Sequence, residues 1–86
     1  GKAMFTHLGG NTLVPSNRIV AIINAENSLG AHSTKEFLKT AQAKGLVERL
    51  NGEDFKAIIV SDEAVYLSPI SAMTLKKRAE SIIKKL

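Results

Sequence analysis

The chain has 86 residues, 44% of them hydrophobic and 23% charged, with a formal net charge of +4 and no cysteine. This length makes one small domain around one core, modestly stable by itself, and the balance of apolar and charged residues excludes general disorder. The missing thiols exclude a disulfide framework and a thiolate metal site, and no apolar run approaches the roughly 20 residues of a membrane-spanning helix.

The N-terminus lacks the extended apolar segment of a signal peptide, so a soluble cytoplasmic protein is the expectation. Gly1-Lys2-Ala3 ahead of Met4 reads as a cloning remnant, and residues 4–86 as a single domain.

Phe5 to Leu8 is a short strand closed by Gly9-Gly10, and Thr12 to Val14 is a second, followed by the turn residues Pro15-Ser16-Asn17. Arg18 to Asn24 is a strong strand, rich in the β-branched residues Ile19, Val20, Ile22 and Ile23. Arg18 places a permanent charge at its mouth. Arginine is rarely buried without a partner. It therefore lies on an exposed rim, pairs with an acid (Glu26 or Glu48 in space), or meets something outside the chain.

The period then changes. Ser33-x-x-Glu36 is a capping box, Phe37, Leu38 and Ala41 form an apolar stripe with Phe37 in the core, and Gly45 is placed to end the helix in the left-handed conformation. The spacing predicts a helix from about Thr34 to Lys44. A meander follows: Leu46 to Leu50, a hairpin turn at Asn51-Gly52, Phe55 to Val60, an Asp62-Glu63 turn, and Ala64 to Leu67, ended by Pro69. Ser71 caps a closing helix to the C-terminus with Leu75, Ala79, Ile82, Ile83 and Leu86 on one face. The expected fold class is α+β, a small antiparallel sheet or meander with two helices.

The runs IVAII and AIIV do not alternate with polar residues, so both faces of their sheet should be covered. Two helices can cover one face, and the other needs a neighbour. A homo-oligomer is predicted, with Ile19, Ala21, Ile23, Ile58 and Val60 at the interface between copies.

The whole net charge sits on residues 71–86, which hold Lys76, Lys77, Arg78, Lys84 and Lys85 against Glu80, while seven bases balance seven acids elsewhere. Such asymmetry fits an anionic partner and equally fits the solvated face of a terminal helix. The residues offer little to catalysis. His7 and His32 belong to no spaced metal motif, no G-x-S-x-G elbow surrounds a serine, and Leu8-Gly9-Gly10 lacks the rest of a phosphate loop. The acids at 53, 54, 62 and 63 sit in hairpin tips, where carboxylates are normally just solvated. No enzyme, cofactor or metal is expected.

Binding is better supported. Lysine and arginine attract duplex DNA through its phosphates, and Arg18, Lys56, Lys76, Lys77 and Arg78 are the candidate contacts. Single-stranded nucleic acid needs stacking platforms, and the chain has only three phenylalanines and one tyrosine. One protomer offers few contacts, whereas an array repeating Arg18 at fixed spacing gains avidity.

The stretch HLGGNTLVPSNRIVAI, then a helix, then GEDFKAIIVSDEAVYLSPISAMTLKKRAE, resembles the RemA/RemB family of bacterial extracellular-matrix regulators from about Phe5 to Glu80. Its most specific pieces are the Asn17-Arg18-Ile19 step after the turn and the block YLSPISAMTLKKRA; that block and the leading HLG are closer to the RemB branch. The resemblance implies a small α+β protomer in a ring-shaped homo-oligomer that binds promoter DNA and activates matrix operons for biofilm formation. It places the family's DNA-contacting arginine at Arg18, its charge unpaired within the chain because its partner is a phosphate. One departure stands out. The RemA branch carries two arginines just after the hairpin glycine, where this chain has Glu53 and Asp54, with only Lys56 basic nearby. Either that hairpin lies away from DNA or binding is weakened. The alternative function is an oligomeric protein-interaction module whose partner is another protein, such as a RemA-type relative. Convergence of Arg18, Lys56 and the 76–78 cluster on one rim of the assembly favours DNA; scatter, or pairing with Glu48, Glu53 or Asp54, favours protein.

Overall fold

Thr6, Leu8 and Val14 are buried while Phe5, His7 and Leu13 are exposed, the alternation of a ribbon with one wet face. In the computed structural model, which describes residues 4–28, 32–50 and 54–80, these residues form β1 (Phe5–Gly9) and β2 (Thr12–Pro15), paired antiparallel. Beneath the ribbon the Thr6 and Ser16 hydroxyls satisfy each other at 2.6 Å, and the Ser16 N–H donates to the Met4 carbonyl. Gly10, at the turn, has a φ of 55°, and a Cβ there would stand 2.8 Å from the Leu50 carbonyl oxygen, so glycine alone fits.

Ser16–Arg18 is a single 3-10 turn, so Arg18 closes the turn instead of opening the strand, and β3 begins one residue later (Ile19–Asn24). The Asn24 side-chain carbonyl accepts the Glu26 N–H and starts a short helix, α1 (Ala25–Ser28), for which periodicity gave no signal. The main helix, α2, runs His32–Ala43. Ser33 therefore lies inside its first turn and not at the cap expected of it. Gly45 ends it as predicted, at a φ of 72°, with the Leu46 N–H on the Ala41 carbonyl and the Gly45 N–H on the Gln42 carbonyl.

The second half departs from a meander. The four-stranded sheet runs β3-β5-β6-β4, with β4 Val47–Arg49, β5 Ala57–Ser61 and β6 Val65–Ser68. β5 pairs antiparallel with both β3 and β6, whereas β4 pairs in parallel with β6, so the sheet is mixed and the strands flanking Asn51-Gly52 are not hairpin partners. Competition for the centre accounts for this. A strand has two edges, and those of Ala-Ile-Ile-Val go to the two longer, more apolar partners, leaving three-residue Val-Glu-Arg to the rim. The turn residues Asn51 and Gly52, with Glu53, lie outside the described residues. β6 ends before Pro69 as expected, and the Ser71 hydroxyl accepts the Thr74 N–H to cap α3 (Ala72–Glu80). The predicted apolar positions Ile82, Ile83 and Leu86 lie outside the described residues.

β5 separates two cores. Ala57 and Ile59 pack with Leu8, Val14, Ala72 and Leu75 beneath the ribbon and α3, while Ile58 packs with Ala25, Ala41, Val65 and Leu67 beneath α1 and α2. The two main helices thus lie on opposite faces, where one shared face was expected. The two-sided apolar character of AIIV is satisfied within the protomer and does not by itself call for a neighbour. Phe37, assigned to the core by its stripe, is 41% exposed; Leu38 and Ala41 carry the packing. Among the described strands β3 pairs only with β5, and its other edge is open. A bulge between Ile19 and Ala21 leaves Val20 72% exposed on that strand.

Candidate nucleic-acid interface

Arg18 sits where two turns meet. Its carbonyl accepts the Asp62 N–H at 3.2 Å, which joins the 3-10 turn to the β5–β6 turn. The Ser61 hydroxyl fixes that second turn by accepting the Glu63 and Ala64 N–H groups and donating to the Ala64 carbonyl. Both acidic side chains reach the same guanidinium nitrogen: Arg18 Nη1 donates to Glu63 Oε1 at 2.9 Å and lies 3.6 Å from Asp62 Oδ2. The charge is therefore paired within the chain, contrary to the expectation drawn from the resemblance, and its partners are neither Glu26 nor Glu48. The signal for this pairing was present in the sequence. If the two apolar strands run antiparallel, Ile19 faces Ser61 and Arg18 faces the acids that follow. The arginine side chain remains 48% exposed. An exposed pair of this kind contributes only about 0–1 kcal/mol, so it orients Arg18 without making it structurally necessary.

The other candidate cations do not join Arg18 on one protomer. Lys56 precedes β5 while Asp62 follows it, which puts Lys56 about 20 Å from the Arg18 end at strand rise. It lines a hollow with Asn24, Glu26, Ser71, Ala72 and Met73. Lys76, Lys77 and Arg78 are exposed, but successive helical residues point about 100° apart. Lys76 accordingly faces β3, whereas the Arg78 guanidinium donates to the His7 carbonyl on β1 at 3.0 Å.

Ile19, Val20, Ala21 and Ile22 line a groove of about 230 Å³ against Lys76, Ala79 and Glu80 of α3. Of the residues expected between copies, Ile19, Ala21, Ile23 and Val60 keep part of their surface. Ile58 does not: it is fully buried inside the protomer, because its side chain points under α1 and α2, and it has nothing to offer a neighbour.

Burial pushes the Tyr66 phenol above its ordinary 10.0, with Glu48, Glu63 and Asp62 adding to the rise and a hydrogen bond with Ser61 opposing it. Folding therefore favours the neutral phenol. Its contribution is complete below pH 10.0 and is lost as the pH rises through the folded value. Since Tyr66 is the one tyrosine in the chain, ultraviolet titration of the folded protein should give a single phenolate midpoint above 10.0. It should move down in a Glu63→Gln variant. A midpoint at the ordinary value would show that neither burial nor these acids raises the phenol, and a midpoint unmoved by Glu63→Gln would show that Glu63 does not act on it.

Among the described residues no helix is long and apolar enough to cross a membrane, and no group of three or more His, Asp or Glu side chains is placed to hold a metal. The family model for RemA-like proteins, described as extracellular matrix regulatory protein A-like, matches residues 5–79. Extracellular matrix regulatory protein B of Bacillus subtilis (strain 168) is 38% identical over 77 residues, covering 90% of this chain and 91% of that protein. The chain belongs to the RemA-like family, and its similarity to that relative agrees with the RemB branch.

Proposed function

We propose that this member of the RemA-like family regulates extracellular-matrix genes, and with them biofilm formation, by binding duplex promoter DNA as a ring of identical protomers. The role in matrix regulation comes from the family and from the named relative. The observation that carries the DNA reading is the placement of Arg18: a half-exposed guanidinium on a hydrogen-bonded turn at the start of the open-edged strand β3. Copies joined through that edge, with exposed Val20 and the groove beside α3 between them, would repeat Arg18 at a fixed spacing. Each repeat then adds a phosphate contact at high effective concentration. Lys56, Lys76 and Lys77 are distributed too widely on one protomer to make a patch, and they contribute only where neighbouring copies bring them together.

The second reading, a protein-interaction module whose partner is a RemA-type relative, is favoured by two observations: the scatter of cations over the protomer and the two carboxylates already on Arg18. Fluorescence anisotropy with a labelled promoter duplex, alongside light scattering, separates the two. The DNA reading expects saturable binding and a mass several times 9.3 kDa. An oligomer that ignores the duplex at low salt yet binds the purified relative would replace it with the second reading, and a monomer would contradict both.

A further inference from the structure

The pairing of Arg18 is asymmetric. Both carboxylates approach one nitrogen, Nη1, and both belong to a single turn held by the Ser61 hydroxyl and by the bond from the Asp62 N–H to the Arg18 carbonyl. A phosphate reaching this guanidinium would stand beside two negative charges that cannot swing far away, because their backbone is pinned to the arginine's own turn. Like charges about 4 Å apart weaken an association about fivefold even under bulk-water screening, and more strongly near protein. We propose that the Asp62–Glu63 turn is a built-in competitor for the phosphate site of Arg18, an intramolecular acid clamp that sets the threshold for nucleic-acid binding. This rests on the DNA reading above and adds its regulation.

The consequence is selectivity by number. A lone anion meets one closed clamp and binds about fivefold more weakly than it would to a guanidinium without the two acids. A duplex spanning several protomers presents its phosphates together, and each opened clamp raises the effective concentration for the next. The clamp therefore makes binding steeper in the number of engaged protomers than Arg18 alone would. Both acids are exposed, so they can be neutralised without disturbing the core.

The test is a double-mutant cycle on the full chain, read by anisotropy of a labelled promoter duplex at fixed salt. Asp62→Asn with Glu63→Gln keeps the shape of the turn and removes its charge. This variant should bind at least about fivefold more tightly than the parent. In an Arg18→Ala background the same two changes should give less than about a twofold gain, the residue of general charge. Should the double change disturb assembly by light scattering, Glu63→Gln alone carries the comparison, because it removes the closer carboxylate. No gain, or a loss, in a protein whose binding still falls with Arg18→Ala overturns the clamp and leaves the DNA reading standing. Equal gains in both backgrounds also overturn it. If neither the parent nor the neutralised variant binds duplex, the DNA reading fails and takes the clamp with it.

Discussion

Arg18→Ala is expected to remove most DNA affinity while leaving the protomer and its assembly almost unchanged. The side chain is half-exposed and its ion pairs are solvated, so the stability cost should stay within about 0.5–1 kcal/mol. A charge-assisted contact is worth about 1.5–3 kcal/mol, or roughly tenfold to a hundredfold in affinity for each one lost, and in an assembly the losses compound. Anisotropy with a promoter duplex and a thermal melt of the same sample check both halves. An alanine variant that melts early or loses its oligomer would make Arg18 a structural residue and remove the main support of the DNA reading.

Leu75→Ala should have the largest effect on the fold. Leu75 is fully buried and packs α3 against Leu8 and Val14 of the ribbon and Ala57 and Ile59 of β5, so it joins three elements at one point. Truncating a leucine in such a site costs about 2–5 kcal/mol, lost transfer energy plus the cavity left behind. Domains are stable by only about 5–15 kcal/mol, and for one of this size each kcal/mol corresponds to about 4–8 °C in melting temperature. A drop of at least about 8 °C is therefore expected, with loss of the cooperative transition at the upper end of the range. A change below about 1 kcal/mol in a denaturant titration would show that α3 is not seated on the sheet as described.

Helix and strand ends were read correctly from local signals at three places, though not at Ser33, which lies inside α2 and does not cap it. Gly45 ends α2 because the left-handed residue frees two backbone donors to close the helix, Ser71 caps α3, and Pro69 stops β6. The family resemblance was legible for the same kind of reason, since the Asn17-Arg18-Ile19 step and the block that begins at Tyr66 are contiguous stretches. Pairing partners were harder to read. Asn51-Gly52 is a strong hairpin signal, yet the strands around it are kept apart because β3 and β6 compete for β5 and have more apolar surface to bury against it. The side of the sheet taken by each helix follows from that choice, and with it the number of faces left for a neighbour. The same long-range pairing brings Asp62 and Glu63 to Arg18, some 45 residues away. Ile58 and Phe37 show the limit of apolar patterning, which identifies hydrophobic residues without saying which become core and which stay at the rim.

The most direct test of the central claim, that an assembly of protomers meets duplex DNA through repeated Arg18 contacts, is the salt dependence of promoter binding by the unaltered protein. Each phosphate neutralised adds about 0.9 to the slope of log K against log salt. A single protomer brings Arg18 and, at best, a few scattered lysines to the duplex. A ring engaging several copies should therefore give a steep slope, corresponding to several phosphates, that falls by about one unit for each Arg18 withdrawn by substitution. A shallow slope of one unit or less, or no measurable binding even at low salt, would contradict the account and leave the protein-partner reading in its place.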